Sequence, residues 1–187
     1  MGPKSNLHWP WHKEPAAGRV EEASSPPTLD ALFKQHSAYV ARLAYRLLGR
    51  EDEVDDITQD VFVSLFSHLS RVRDVGAMRG WLATTTVRMV RRRLRVRRIG
   101  FLLSFRARTD PYDLPSDALA GDERAALLGV HRALAGVASS ARVAWILRYV
   151  EEERIEDVAR MCRCSVATAK RRIAVAHRAV RGAVVDD

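Results

Sequence analysis

From residue 29 onward the chain alternates apolar and polar residues with a step of three or four, the period of a helix that buries one face. Leu32, Phe33, His36, Val40, Leu43 and Leu47 mark the first such stripe, with Thr28 placed to cap its start and Gly49 its end. Val54, Ile57, Val61, Phe62, Leu65, Phe66 and Leu69 mark a second, over roughly residues 53–69. The stretch SRVRDVGAM breaks the period and reads as a loop. A third helix is expected from about Ala77, burying Met78, Trp81, Leu82, Thr85 and Met89. Beyond a break, Leu127, Val130 or His131, and Leu134 suggest a fourth helix. Val143, Ile146, Leu147 and Val150 suggest a fifth, with Ser139 or Ser140 as its cap. No strand-like alternation stands out, so the fold class expected is all-α, built as two small helical domains.

The breaks set the boundaries. Residues 1–27 hold five of the seven prolines and no helical period, and read as a tail. Trp9 and Trp11 are unusual within it. Residues 28–105 form the first expected domain, 106–123 a flexible acidic linker with two prolines, four Asp and a Glu, and 124–187 the second domain. No apolar run approaches the roughly 18–20 residues that span a bilayer, so no membrane insertion is expected. The N-terminus lacks the apolar region of a secretory signal. Two cysteines, Cys162 and Cys164, are too few for a disulfide framework and suit a reducing cytoplasm. With His177 they make a weak metal set.

Charge sharpens the picture. The net charge of +8 is the sum of an acidic zone over 29–70 (−3), a strongly basic one over 71–108 (+11), a second acidic zone over 109–138 (−3) and a basic end over 139–187 (+3). The segment RMVRRRLRVRR, residues 88–98, holds seven arginines and no carboxylate. On a helix, Arg88, Arg91, Arg92, Arg95 and Arg98 share one arc of roughly 120°. Like charges at these spacings repel by about 0.2–0.5 kcal/mol per pair, a cost that a polyanion would turn into binding energy. The opposite sign lies on the second helix, where Asp52, Asp56 and Asp60 recur every fourth residue beside Asp55 and Gln59.

The last third reads as helix, tight turn, helix. Ile155, Val158 and Ala159 face inward on the first, CRC makes the turn, and Ser165 caps the second. There Val166, Ala169, Ile173, Ala176 and Val180 form the inner stripe. Left outside are Ala167, Thr168, Lys170, Arg171, Arg172 and Arg178. Thr168, Lys170 and Arg171 fit the leading turn of a helix that reads base edges in a major groove. Arg163, Arg172 and Arg178 fit phosphate contacts, which orient without reading sequence.

The segment ARVAWILRYVEEERIEDVARMCRCSVATAKRRIAVAHRAV closely resembles the C-terminal DNA-binding domain of bacterial RNA polymerase sigma factors of the extracytoplasmic-function group. Independently, EDEVDDITQDVFVSLF is similar to that family's polymerase-binding helix, and GWLATTTVRMVRRRLRVRR to its Trp-Leu helix ending in arginines. The resemblance implies a non-enzymatic initiation factor. Asp55, Asp56, Gln59 and Asp60 would bind the clamp helices of core RNA polymerase. Val75, Gly76, Ala77, Arg88, Arg91, Arg92 and Arg95 would meet the −10 element of promoter DNA, and Ser165, Ala167, Thr168, Lys170, Arg171, Arg172 and Arg178 the −35 element. It implies no cofactor and no metal, and it leaves room for an anti-sigma factor as a further partner. The chain departs from the family at Arg88 and Arg92, where relatives carry an Asn and an acidic or amide residue, and at Arg163, where a turn glycine is usual.

Two other classes compete. Asp55, Asp56 and Asp60 could ligate Mg²⁺ in a nuclease, though they share one helical face with no His base and no Gly-rich phosphate loop nearby. A stand-alone helix-turn-helix regulator would explain the C-terminal motif but leave the first helices without a role.

Overall fold

The computed structural model describes residues 28–68, 77–103 and 121–185, and for 98–103, 121–124 and 184–185 the backbone alone. Among these residues the chain is all-helical. The seven helices are α1 (Leu29–Leu48), α2 (Val54–Phe66), α3 (Met78–Leu103), α4 (Gly121–Ala133), α5 (Ser139–Tyr149), α6 (Ile155–Met161) and α7 (Val166–Val185). The expected tail, Leu69, most of the first loop and most of the acidic linker lie outside the described residues. The start of α4 at Gly121 falls inside the stretch expected to be linker.

Each boundary has a local cause. The Thr28 hydroxyl accepts the Ala31 N–H at 3.2 Å and satisfies one of the donors that a helix start leaves open. Gly49 ends α1 in the left-handed region at φ 73°, its N–H donating to the Tyr45 carbonyl at 2.8 Å. At α5 the expected serine cap is displaced: Ala138 holds the capping position without a side-chain bond, and Ser139 is already helical.

Helices α1, α2 and α3 pack into one bundle around Leu43, Leu47, Ile57, Leu65, Leu82 and Val90, all nearly inaccessible to solvent. The stripe of α3 continues through Val87, Val90 and Leu94 in the middle of the arginines, so the most cationic stretch of the chain is also anchored by burial. Helices α4 to α7 make a second bundle around Trp145, Leu127, Leu134, Val158 and Ala169. Two aromatic expectations fail. Phe33 of α1 is 45% and Phe66 of α2 66% exposed, because each of these helices has apolar residues around more of its circumference than its neighbours cover. Within the second bundle Val166 lies at the rim, while Ala169, Ile173, Ala176 and Val180 are buried as expected.

The two bundles touch, α3 against α5 and α6, and α1 against α5. Arg46 of α1 forms an ion pair with Glu151 after α5 at 3.0 Å, with both side chains mostly shielded from solvent. His131 of α4 is 1% exposed, and its Nε2–H donates to the Arg46 carbonyl at 2.9 Å. The same ring fills the space where Gly49 has no side chain: a Cβ there would come within 2.5–2.7 Å of ring atoms. Burial, with Arg142 adding repulsion, pulls the His131 pKa down to about 4. The seam therefore holds a neutral imidazole.

Candidate functional site

The first surface lies on α2. Asp55, Asp56, Gln59 and Asp60 are all exposed, on the side of the helix away from Ile57, Val61 and Leu65. Beside them runs an apolar groove of about 640 Å³, floored by Leu29, Phe33, Phe62, Val63 and Phe66 and edged by Asp55 and Gln59. Phe33 and Phe62 meet edge-on, with centroids 4.8 Å apart. The surface is therefore mixed: an apolar strip with carboxylates along one side, suited to a partner that offers apolar side chains flanked by cations. The acids are evident in the sequence; the strip beside them emerges from the packing. Its signal was present in Phe33, Val63 and Phe66, more apolar residues than one buried face can hold.

The second surface is α3. The helix sorts its arginines by direction. Arg88, Arg92 and Arg95 are exposed. Arg93 and Arg97, which lie off the arc shared by the others, turn to α2 instead. Arg97 contacts Glu53 through Nε at 2.9 Å and Nη2 at 2.5 Å and lies 3.8 Å from Asp52. Arg93 lies 3.6 Å from Glu53 and 3.3 Å from Asp56. The self-repulsion expected of the run is thus partly relieved by acids far away in sequence, and Asp56 serves α3 as well as the exposed ridge. Arg91 turns to the second bundle, where its Nη1 donates to the Cys162 carbonyl at 2.5 Å. Val75 and Gly76 lie outside the described residues. Ala77 is exposed just before α3, its carbonyl accepting the Trp81 N–H at 3.0 Å. Trp81 is half-buried, its ring 5.9 Å from that of His68, which fits a brace between α2 and α3.

The third surface is the α6–turn–α7 motif. Cys162 is fully buried in the turn, and burial raises its thiol pKa above the usual value, which keeps it protonated. Arg163 takes φ 47°, the left-handed backbone that a glycine would adopt without strain. Ser165 then caps α7: its Oγ accepts the Thr168 N–H at 3.2 Å and donates to the Thr168 Oγ1 at 2.9 Å. Thr168 is thereby committed to the cap, half-buried, with its hydroxyl proton left as a donor. Ala167, Lys170, Arg171 and Arg178 stand exposed on α7. Arg172 is half-buried, and its Nη1 sits in the interior without a hydrogen-bond partner. His177 is engaged elsewhere, accepting the Trp145 indole N–H at 3.4 Å and stacking on Tyr149 at 5.2 Å. Among the described residues no group of three His, Cys, Asp or Glu side chains converges as a metal site would require. Nor is any described helix long and apolar enough to cross a membrane.

Comparison with known proteins agrees with this layout. A family model described as sigma-70 region 2 matches residues 32–99, which take in α1, α2 and most of α3. The chain is 37% identical over 92 residues to the ECF RNA polymerase sigma factor SigE of Mycolicibacterium smegmatis, an alignment that covers 45% of this chain. It spans only 35% of that relative's length. The fold is similar to that in the co-crystal structure of the sigma factor RpoE with the anti-sigma factor NepR from Bartonella quintana. The TM-score is 0.65 at 19% identity, over 84% of this chain and 97% of that one. Residues 32–99 thus match the sigma-70 region 2 model, and over 92 residues the chain is similar in sequence to an extracytoplasmic-function sigma factor.

Proposed function

We propose that this chain is a sigma factor that binds core RNA polymerase, engages the −10 and −35 elements of a promoter and directs initiation from it. One observation carries the reading: a region 2 bundle and a helix-turn-helix occur in one chain, and each presents unpaired cations outward. Helix α3 offers Arg88, Arg92 and Arg95, and α7 offers Lys170, Arg171 and Arg178. Among the described residues neither set of cations forms an ion pair, whereas Arg93 and Arg97, which do, point elsewhere.

The division of labour follows from chemistry. Polymerase docks on α2, where Asp55 and Gln59 edge the apolar groove and Asp56 and Asp60 stand exposed beside them. Arg88, Arg92 and Arg95 contact phosphates around the opened −10 element, an attraction that weakens as salt rises because binding releases counterions. On α7 the side chains nearest the helix start, Ala167, Lys170 and Arg171, face base edges of the −35 element, with Ser165 and Thr168 holding the turn that presents them. Arg178, further along, meets the backbone. Opening a promoter needs no hydrolysis in this scheme, because captured single strand offsets lost pairing and stacking. The two domains and their tether, as read from the sequence, supply the reach between elements. An anti-sigma factor would act by covering one of these faces.

Run-off transcription with the purified chain, core polymerase and genomic fragments tests the reading. Discrete start sites are expected with the chain and none without it. Specific duplex binding that is indifferent to core polymerase would instead identify a stand-alone regulator. For the docking face, Asp56→Arg with Asp60→Arg is expected to weaken capture of core polymerase at least tenfold while the helical circular dichroism is kept. Unchanged capture would remove α2 from the interface.

A further inference from the structure

Where the two bundles meet, α3, α5 and α7 enclose a polar cavity of about 220 Å³ lined by Arg91, Leu94, Arg95, Ser139, Ser140 and Arg172. Three arginines line it from two bundles, and no carboxylate does. Arg172 Nη1, buried and without a hydrogen-bond partner, is a donor that has been desolvated with nothing to show for it. The N-terminus of α5 opens at the same place: Ser139 and Ser140 are its first two residues, and Ala138 provides no side-chain cap. The first two residues of a helix thus line the same space as the arginines, and a helix start favours an anion.

The seam is hard to understand without one. Its other contacts, Arg46 with Glu151, His131 with the Arg46 carbonyl and Arg91 with the Cys162 carbonyl, draw the bundles together. The convergence of Arg91, Arg95 and Arg172 pushes them apart. The cavity has room for about seven waters at about 30 Å³ each, enough for a tetrahedral oxyanion with part of its shell. Guanidinium groups match phosphate oxygens in pairs, which spherical ions such as chloride cannot exploit.

We propose that this cavity is a phosphate-binding site, taking inorganic phosphate, pyrophosphate or the terminal phosphate of a small molecule, and that the bound group bridges α3 to α5 and α7 and clamps the two bundles together. Of the three, Arg95 is also offered to promoter DNA above, so occupancy of the site would compete with that contact. That last consequence rests on the function proposed above; the site itself does not.

Isothermal titration of the full chain at constant ionic strength is the test, with pyrophosphate, inorganic phosphate and dimethyl phosphate, the last standing in for a DNA backbone diester. One saturable site is expected, tightest for pyrophosphate and weakest for dimethyl phosphate. Ser140→Asp puts a carboxylate against the arginines at a helix start, where Asp is favourable, so the fold should be kept and pyrophosphate affinity should fall at least tenfold. Arg95→Gln, on the exposed side of α3, should lower it by a similar factor. Small-angle scattering should show a smaller radius of gyration with pyrophosphate than without it. The proposal is overturned by the absence of saturable heat, by equal affinity in the wild type and Ser140→Asp, or by dimethyl phosphate binding as tightly as pyrophosphate, which would make the cavity a seat for DNA backbone. Because the titration contains neither DNA nor polymerase, its outcome is separate from that of the transcription assay.

Discussion

Gly49 and His131 are 82 residues apart in sequence and share one volume. A methyl at Gly49 would be strained twice, by the left-handed backbone at φ 73° and by collision with the imidazole. The backbone alone accounts for about 1–2 kcal/mol, so Gly49→Ala is expected to lose at least that much in urea denaturation. The imidazole brings a pH dependence whose sign is fixed. In the unfolded chain His131 titrates near 6.5, and in the fold near 4. Above pH 6.5 both states are neutral and the residue contributes no pH dependence. As pH falls from 6.5 to 4 the unfolded chain takes up a proton that the folded one refuses. Stability drops over that window by on the order of 3 kcal/mol. Denaturation at a series of pH values should show the loss, and His131→Leu should flatten the curve over the same window. Arg163 is the reverse case, a residue with a side chain where its φ of 47° suits glycine. Arg163→Gly should raise the unfolding free energy by a net amount of about 1 kcal/mol, read as a later denaturation midpoint, the relieved strain being partly offset by glycine's greater freedom in the unfolded chain.

At the scale of elements, the recognition helix depends on one hydroxyl. Ser165→Ala removes both bonds to Thr168, and the loss of such a cap is typically worth about 1 kcal/mol. Amide exchange should quicken first at Val166 to Ala169 while α5 stays protected. The helices themselves were legible in the sequence because their stripes are regular: Leu43, Ile57, Leu82, Val143 and Ala169 are buried as the period requires. Phe33 and Phe66 were not, since periodicity says which residues share a face but not how much of that face a neighbour covers. Arg93 and Arg97 show a second limit. The angle that separates them from the arc of Arg88, Arg91, Arg92 and Arg95 could be computed from the sequence, but their acids lie on another helix, some 40 residues earlier, and only packing brings them together. Arg91 and Arg172 show a third. Each looked like a free cation because its surroundings belong to the other bundle.

For the whole molecule, a part-buried ion pair, a buried imidazole and a backbone-bound guanidinium join parts that the sequence presents as separate modules. One feature of α3 reaches further than its own packing. The Asp56 carboxylate, exposed on α2 next to the residues that edge the groove, is also one of the two groups that hold Arg93. A partner that takes Asp56 for itself would hand Arg93 back to the basic face of α3, adding a cation where DNA is expected. Linkage makes the exchange reciprocal: whatever factor polymerase adds to the hold on DNA, DNA must add to the hold on polymerase. An exposed pair of this kind is worth up to about 1 kcal/mol, which caps the mutual assistance near fivefold.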